Sequence, residues 1–306
     1  MKKLNLDYLK SFYYIAQCNS ISKASETLHV TQPGLSMQLK NLESELGFSL
    51  LSRSNKGVLL TSEGEVVYDY AKSIFTLEEN MYNSINSLKE KKNTLFIASC
   101  KTYGSYQLAF NICDFKDIHS GLDICMDTYN TSEVIDKILN HDYNIGIIKG
   151  PCGPEVVNMI EEIPFYDDEI VLCINPSYSK DEIKIKEVKR IPLIMRDSNS
   201  RTYTMVKNFL NKSGIDIGDL DILIRSNCIA IIKSSILESC CASFISKSCI
   251  QNELKNDKMK IIRISDLENF DDLRFSYHLI KRKQYKLNAY EQSFYDFLLE
   301  INKVEH

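Results

Sequence analysis

Gln32 and Ser36 place an amide and a hydroxyl group about one turn apart, near the start of a predicted helix. Such side chains can hydrogen-bond to base edges in the DNA major groove, and the free N–H groups of a helix N-terminus attract phosphate. No acidic residue occurs between Gln32 and Leu42. A helical hairpin with a polar, solvent-facing side would show the same periodicity. The pattern favours a DNA-contacting face that consists of Thr31, Gln32, Pro33, Ser36, Met37 and Lys40.

Two closely joined helices must position this face. Ser20 can cap the first of them, and Thr31 can cap the second. Pro33 falls in the first turn of the second helix, where a missing N–H costs nothing, and Gly47 stands where a helix-ending glycine is expected. The side of the second helix that packs inward is a narrow leucine stripe, namely Leu35, Leu39, Leu42 and Leu46. The spacing therefore predicts a helix-turn-helix.

A hairpin with positive charge follows the two helices. Residues 50–64, LLSRSNKGVLLTSEG, contain an apolar pair, a polar turn that ends at Gly57, and a short apolar strand. The pattern predicts a β-wing. Its two cations, Arg53 and Lys56, are expected to contact the phosphate backbone beside the groove.

The charge of the chain is unevenly distributed. Residues 1–60 contain seven Lys or Arg and four Asp or Glu, a balance of +3, while the whole chain has a formal net charge of −4. The remaining residues therefore total −7. A basic head on an acidic body suits a small DNA-binding module attached to a larger domain with another role.

A long stretch without proline follows the wing. Ser62 and Glu65 have the spacing of a capping box. Apolar residues then repeat every seven positions, with two more between them, and give the seam Val67, Tyr70, Ile74, Leu77, Met81 and Leu88. A surface helix packed on its own domain is one interpretation. A heptad seam that ends in the charged LKEKKN segment favours a projecting helix that forms a dimer.

Strands and helices alternate from residue 93 onward, which indicates an α/β architecture. The predicted strands cover residues 94–99, 122–127, 144–150, 169–175, 191–195, 220–226 and 275–281. The order of these elements predicts two α/β units with the chain crossing back between them. Such a hinged pair is typical of a domain that receives a ligand between its lobes.

Polar loops follow three of these strands, and each runs into a predicted helix. Ligands of open α/β sheets bind outside the carboxyl ends of the strands, where helix N–H groups also point. The loops supply hydroxyl groups and cations but little negative charge, so a small anion is the expected ligand. The candidate ligand-binding residues are Cys100, Lys101, Thr102, Asn130, Thr131, Ser198, Asn199, Ser200, Arg201 and Thr202.

The first sixty residues resemble the winged helix-turn-helix of LysR-type transcriptional regulators. The matching positions are Ser20-Ile21, Ala24-Ser25, Leu28, Val30-Thr31-Gln32-Pro33, Leu35-Ser36, Leu42-Glu43, Leu46-Gly47, Arg53, Leu60-Thr61 and Glu63-Gly64. The layout of the remaining chain is also similar to that family. The resemblance implies a transcriptional regulator with DNA contacts at Gln32, Pro33 and Ser36, and a C-terminal type 2 periplasmic-binding-protein-like fold that binds a small-molecule effector.

The segment MRDSNSRT is similar to one in regulators of sulfur and carbon assimilation, although Asn199 replaces a glycine. Asn144 stands where the family usually has aspartate, and this change is expected to affect the hinge or the pocket. We therefore divide the chain into a winged helix-turn-helix domain (1–60), a linker and dimerisation helix (61–92) and an effector-binding domain (93–306). Within the last, lobe I covers about 93–164 and 265–306, and lobe II about 165–264.

Three other functions are weighed against this one. An enzyme with a helical oligomerisation module is disfavoured, because none of the five histidines lies in a strand-end loop and no glycine-rich phosphate loop appears. A solute-binding protein is disfavoured by the lack of a secretion signal. A redox-responsive regulator that uses Cys100 is a further alternative, because a cysteine beside a lysine and a helix N-terminus is expected to have a low pKa.

The sequence also predicts partners and location. We expect a cytoplasmic protein that binds double-stranded DNA and a small effector as a homodimer or homotetramer, with RNA polymerase as a candidate partner. No segment is apolar for the length of a membrane span. Ten cysteines without a C-x-x-C pair do not indicate zinc, so no metal and no cofactor is expected.

Overall fold

The computed structural model describes residues 4–54, 57–90, 93–239, 241–267 and 269–301, and within them the side chains of all residues except 53, 54, 80, 83–90 and 93. The chain divides into two compact units. The first contains Met1–Glu90 with Asn140–Asp142, and the second contains Lys91–Leu139 with Tyr143–His306. Each unit has its own hydrophobic core.

The first unit is a winged helix-turn-helix followed by a long helix, as the sequence predicts. Its helices are α1 (Leu6–Cys18), α2 (Ile21–Thr27), α3 (Gln32–Leu46) and α4 (Ser62–Glu90). Its wing is the antiparallel hairpin of β1 (Leu51–Ser54) and β2 (Gly57–Leu60). Leu9, Phe12, Leu35 and Leu42 are buried between the helices, so the apolar faces of α1 and α3 hold the unit together.

Local capping places the ends of the short helices. The Ser20 hydroxyl accepts a hydrogen bond from the N–H of Lys23 at the start of α2, and that of Thr31 accepts one from the N–H of Gly34 at the start of α3. Gly47 ends α3 with a φ of 86°, a conformation that costs a glycine little. These three predicted helix boundaries are confirmed.

The start of α4 differs from the predicted capping box. Thr61, not Ser62, is the capping residue, because its hydroxyl accepts a hydrogen bond from the N–H of Gly64 at 3.0 Å. The same hydroxyl donates to the carbonyl of Ser49 at 2.7 Å. A side chain at position 64 would meet the carbonyl oxygen of Leu50 at 2.0 Å, so only glycine fits this approach of α4 to the wing.

The second unit is built from strands and helices in alternation. The first half contains β3 (Asn93–Cys100), α5 (Lys101–Tyr103), a π-helical turn (Gly104–Leu108), α6 (Ala109–Ile118), β4 (Leu122–Tyr129), α7 (Thr131–Leu139), β5 (Ile145–Lys149) and β6 (Ile160–Ile174). The chain continues through β7 (Glu182–Ile183), a 3-10 helix (Ile185–Arg190), β8 (Leu193–Arg196), α8 (Arg201–Lys212), a 3-10 helix (Ile217–Asp219), β9 (Ile222–Ser226), α9 (Ile229–Glu238) and β10 (Ala242–Ser246). It ends with a 3-10 helix (Lys247–Ile250), α10 (Gln251–Lys255), β11 (Lys260–Ile261), β12 (Arg263–Ile264), a 3-10 helix (Asp271–Leu273), β13 (Arg274–Arg282) and α11 (Ala289–Ile301).

Two long strands join two lobes in this unit. The strand order is β4-β3-β5-β13-β6-β10-β8-β9, with β11 also on β6 and a separate pair of β12 and β7. The strands β4, β3 and β5 are mutually parallel and form lobe I, and β10, β8 and β9 do the same in lobe II. The antiparallel strands β6 and β13 pass between the lobes. This arrangement confirms the predicted bilobed α/β domain.

The sequence did not predict the first half of β6 or any of β10. Glu161–Glu169 contains several acidic residues and Pro164, a composition typical of a loop. It is nevertheless a strand, because β13 supplies its hydrogen bonds, and Pro164 lies at a register shift where no ladder donor is required. Every residue of β10 is buried. The sequence does not indicate this burial, because Ser243 and Ser246 interrupt the apolar pattern.

Across the described ranges, no helix is long and apolar enough to cross a membrane. The same ranges contain no cluster of His, Cys, Asp or Glu side chains that could hold a metal ion.

Candidate functional site: the recognition helix and the interlobe cleft

The predicted DNA-contacting residues of α3 share one exposed face. Thr31, Gln32, Pro33, Ser36, Met37 and Lys40 are all exposed, while Leu35 and Leu42 on the other side are buried. Met37 is 62% exposed, so its side chain is available to a partner. The N-terminal turn of α3 thus presents polar groups outward.

Gln32 is held in place by α2. Its side-chain amide donates to the hydroxyl of Ser22 at 2.8 Å, which leaves the carbonyl oxygen of the Gln32 side chain to accept from a base edge. Ser22 is a supporting residue that the sequence reasoning missed. Its position on the preceding helix, ten residues away, gives no periodic signal.

Glu43 is the first acidic residue of α3, and it contacts the wing. Its carboxylate accepts from the N–H of Leu50 at 2.7 Å and of Leu51 at 3.4 Å. The Glu43 carboxylate therefore fixes the chain at the start of β1 and lies within the domain. The first turns of α3 contain no acidic residue of their own, because none occurs between Gln32 and Leu42.

The wing also depends on a glycine. Gly57 has a φ of 122°, and a side chain there would meet the carbonyl oxygen of Asn19 at 2.5 Å. The N–H of Val58 donates to that same carbonyl at 3.1 Å, which ties β2 to the end of α1. Arg53 lies on β1, but its side chain is outside the described residues, and so is all of Lys56. Their phosphate contacts stay predictions.

The predicted seam on α4 needs correction. Val67 and Ile74 are half-buried and pack against the core of the first unit, so they do not form a free face. Tyr70, Leu77 and Met81 are exposed, and the side chain of Leu88 is outside the described residues. Val66 is also exposed, and it extends the apolar stripe to Val66, Tyr70, Leu77 and Met81. At 100° per residue these four lie within an arc of about 60°.

The carboxyl ends of the parallel strands β3, β4 and β5 of lobe I meet that of β8 of lobe II between the lobes of the second unit. They surround a cavity of about 20 Å³, which has room for about one water molecule. The cavity is lined by Cys100, Lys101, Thr102, Tyr129, Asn130, Thr131, Lys149, Arg196, Ser200, Arg201 and Thr202. Eight predicted effector residues are therefore brought together. Ser198 and Asn199 are exposed and do not line this cavity, because the turn before α8 directs them outward.

The sequence reasoning missed Lys149, Arg196 and Tyr129. Each is the last residue of a strand, at β5, β8 and β4 respectively. The predicted ligand-binding residues lie in polar loops after strands, whereas these three residues belong to the strands themselves. For Lys149, the sequence does contain a signal, namely a lysine at the end of the apolar run IGIIK.

Lys149 connects the two lobes from the end of β5. Its ammonium donates to the hydroxyl of Thr202 at 3.0 Å and to that of Ser246 at 2.7 Å, both in lobe II. It also lies 4.1 Å from the ring centroid of Phe275. The side chain is 2% exposed, and burial lowers the pKa of Lys149 while Asp168 opposes that shift.

Arg196 is a second buried cation, 6% exposed. Its Nε is buried and has no hydrogen-bond partner in the described part of the chain, and the same is true of Oδ2 of Asp197. These two residues approach only to 3.8 Å, between Nη2 and Oδ2. Burial lowers the pKa of Arg196, and Asp197 opposes that shift. The positive charge of Arg196 is therefore only partly compensated by Asp197, and its Nε lacks a hydrogen-bond partner among the described residues.

The remaining polar groups are arranged around these cations. The guanidinium of Arg201 lies over Gly150, whose φ is 69° and whose missing side chain leaves the necessary space. The Ser200 hydroxyl caps α8 by accepting from the N–H of Tyr203. The Thr131 hydroxyl accepts from the N–H of Lys149 at 3.4 Å. The cleft thus combines four cations, several hydroxyl groups and the N-termini of α7 and α8.

Cys100 does not have the environment of a reactive thiolate. It is buried at the end of β3, and burial raises the pKa of Cys100 despite opposing contributions from the backbone at Tyr103 and from Lys149. A raised pKa keeps the thiol protonated. The expectation of a low pKa at Cys100 is therefore wrong, because the sequence showed the helix N-terminus but not the burial.

Asn144 lies away from the cleft. Its side chain donates to Tyr285 at 2.9 Å and to Glu291 at 2.8 Å, and it accepts from Arg282. Arg282 also donates to the carbonyls of Ile138 and Tyr143. Asn144 is not among the residues that line the cavity, and it belongs to a polar network that fixes the beginning of β5 against β13 and α11.

A winged helix-turn-helix with an exposed recognition helix, together with a bilobed domain that closes over a polar cleft, defines a ligand-responsive regulator that binds DNA. The chain matches the LysR substrate-binding domain over residues 89–302 and the bacterial regulatory helix-turn-helix of the lysR family over residues 6–65. It therefore belongs to the LysR family of transcriptional regulators.

Individual relatives agree with this assignment. A probable RuBisCO transcriptional regulator from Thalassiosira pseudonana is 28% identical over 268 residues, which cover 86% of this chain and 87% of the relative. The crystal structure of full-length CbnR with its target DNA has a TM-score of 0.65 at 17% identity and covers 99% of this chain and 100% of CbnR. The CcmR regulatory domain of Synechocystis PCC6803, in complex with 2-PG, has a TM-score of 0.60 at 18% identity and covers 69% of this chain and 98% of that domain.

Proposed function

We propose that this LysR-type regulator senses a small anionic effector in its interlobe cleft. The observation that carries the proposal is Arg196, a buried guanidinium with an unpartnered Nε at the wall of the cavity. A buried charge without full pairing is costly, and an anion in hydrogen-bond contact with it would remove much of that cost. The structural neighbour CcmR binds 2-PG in its regulatory domain, which supports a cleft ligand in this fold.

The effector acts through the lobes. The cavity of about 20 Å³ is too small for an effector of several atoms, so the lobes must separate to admit one and then close around it. A ligand shifts such an equilibrium only by its different affinity for the two states. The binding energy available from Thr102 in lobe I and Arg201 in lobe II is realised only when the lobes close on the effector.

The regulator is a homo-oligomer in this proposal. Two copies join through the exposed stripe of α4, and a tetramer would pair two such dimers. Each dimer presents two recognition helices to two half-sites, with Gln32 and Ser36 at base edges and Arg53 and Lys56 at phosphates. It acts on DNA in the cytoplasm, with RNA polymerase as a partner, and it catalyses no reaction.

Thermal unfolding of wild type and cleft variants tests the effector site. Oxalate, sulfate and phosphate are screened at constant ionic strength, with Thr102→Ala, Arg201→Ala and the control Lys247→Ala. Lys247 is exposed and pairs with Glu169 outside the cleft. An anion at 100 times its Kd stabilises the protein by about 2.7 kcal/mol, which raises Tm by roughly 5–10 °C.

We expect this rise in wild type and in the Lys247 variant, and its loss in both cleft variants. A neutral aromatic compound that stabilises wild type more than every anion would overturn the proposal. So would anion effects that remain unchanged in Thr102→Ala and Arg201→Ala.

A further inference from the structure

The charges around the cleft do not balance. Four cations line the cavity, namely Lys101, Lys149, Arg196 and Arg201, and none of the described carboxylates does so. Nearby carboxylates include Asp197 beside Arg196, Asp168, which acts on Lys149 electrostatically, and Glu133, which accepts from the N–H of Asn130 at 2.7 Å. Of the four lining cations, only Arg196 forms an ion pair within 4 Å in the described part of the chain, so an excess of positive charge remains in the cleft.

Lys149 contributes directly to this excess. In the described part of the chain its ammonium has hydroxyl partners only, Thr202 and Ser246, and forms no ion pair within 4 Å. Asp168 is the nearest carboxylate to act on it, but its oxygens accept from the backbone N–H groups of Glu169 and Ser248, from the Ser248 hydroxyl and from Tyr277. Asp168 therefore lowers the electrostatic cost of Lys149 without contacting it.

We propose that the cleft selects a compact dianion and that Lys149 is the residue that requires the second negative charge. This inference rests on the proposed anionic effector and extends it. A monoanion at Arg196 and Arg201 would leave Lys149 buried and unpaired. A dianion reaches both Arg196 on β8 and Lys149 on β5, so it neutralises the excess and joins the two lobes.

The chemistry of the site defines the class of ligand. Hydroxyl donors at Thr102, Thr131 and Thr202 and the N-termini of α7 and α8 suit oxygen anions. A dicarboxylate and a phosphate or sulfate group both provide two charges in a small volume. The first spreads the charges over two carboxylates, whereas the second concentrates them on one centre, and the experiment separates these sources.

Titration calorimetry with matched anions provides the test. Oxalate and its monoamide oxamate have the same number of heavy atoms but differ by one charge, and sulfate is the tetrahedral dianion. Calorimetry is preferred because sulfate also stabilises proteins without binding a site. The full chain is used throughout, with binding to DNA as the check that each variant is folded.

Three variants separate charge from packing. Lys149→Met removes the ammonium but retains an apolar chain against Phe275, and Lys149→Gln keeps amide donors for Thr202 and Ser246. Either neutral variant is sufficient if the other fails to fold. Lys149→Arg retains the charge, and Lys247→Met is the control for loss of a lysine outside the cleft.

Wild type, Lys149→Arg and Lys247→Met should bind oxalate or sulfate at least about 10-fold more tightly than oxamate. The neutral variants should lose about 10- to 100-fold in dianion affinity, the value of a hydrogen bond to a charged group. Their affinity for oxamate should change less than threefold, because Arg196 and Arg201 remain to hold a monoanion. Tighter binding of oxalate than of sulfate would identify the ligand as a dicarboxylate. Tighter binding of sulfate would identify it as a phosphate or sulfate group.

Equal affinity of wild type for oxalate and oxamate would overturn this inference and leave the anionic effector standing. A dianion preference that persists in both neutral variants would also overturn it, because Lys149 would then not be the selecting residue. If a folded, DNA-binding wild type bound no anion at all, the proposed effector class would fail as well.

Discussion

Tyr70→Asp is expected to convert the regulator to a monomer. Tyr70 is 71% exposed at the centre of the stripe of Val66, Tyr70, Leu77 and Met81 on α4. Complete burial of such a side chain contributes about 1.5–3 kcal/mol. Each of these residues is already partly buried, so each adds roughly 1 kcal/mol to a dimer interface.

Two copies of the stripe contain eight such side chains and therefore provide on the order of 8 kcal/mol before the cost of association. Tyr70→Asp removes two of these contributions and places a carboxylate of each copy in an apolar contact. The combined loss is about 3–4 kcal/mol, which weakens the dimer roughly 100- to 1,000-fold.

Analytical ultracentrifugation at micromolar concentration measures the oligomeric state, and a mobility-shift assay measures binding to the operator. Lys72→Asp is the matched control, because position 72 is exposed and lies on the opposite side of α4, about 200° from Tyr70. We expect monomers and much weaker operator binding for Tyr70→Asp only. Dimers of Tyr70→Asp that are as stable as wild type would refute the assignment of this stripe.

Three further predictions concern DNA binding and the wing. Gln32→Ala should cost about 1–3 kcal/mol on the cognate site and flatten base preference; an unchanged site-selection profile would exclude Gln32 from base recognition. Arg53→Ala should weaken all DNA sequences about equally and reduce the slope of log K against log salt by about 1; a sequence-dependent loss would contradict phosphate contact. Gly64→Ala should destabilise the first unit by about 1–3 kcal/mol, because its Cβ would lie 2.0 Å from the Leu50 carbonyl oxygen, and an unchanged Tm would show that α4 can shift without cost.

The sequence by itself determined the features that depend on near neighbours along the chain. Thr31, Pro33 and Gly47 place the ends of α3, and the leucine stripe decides which side is buried, so the exposed DNA-contacting face followed directly. The polar loops after β3, β4 and β8 also led to most of the cleft, because ligands of α/β sheets bind outside the carboxyl ends of the strands.

The tertiary structure alone decided which side chains are buried together. Lys149 meets Thr202 and Ser246 across the lobes, and contacts over such separations leave no periodic signal. Burial also reversed the expected pKa of Cys100 and divided the apolar face of α4 between the core and the exposed stripe. A heptad pattern records that a residue is apolar but not what covers it, and the cost of a buried charge depends on every group packed around it.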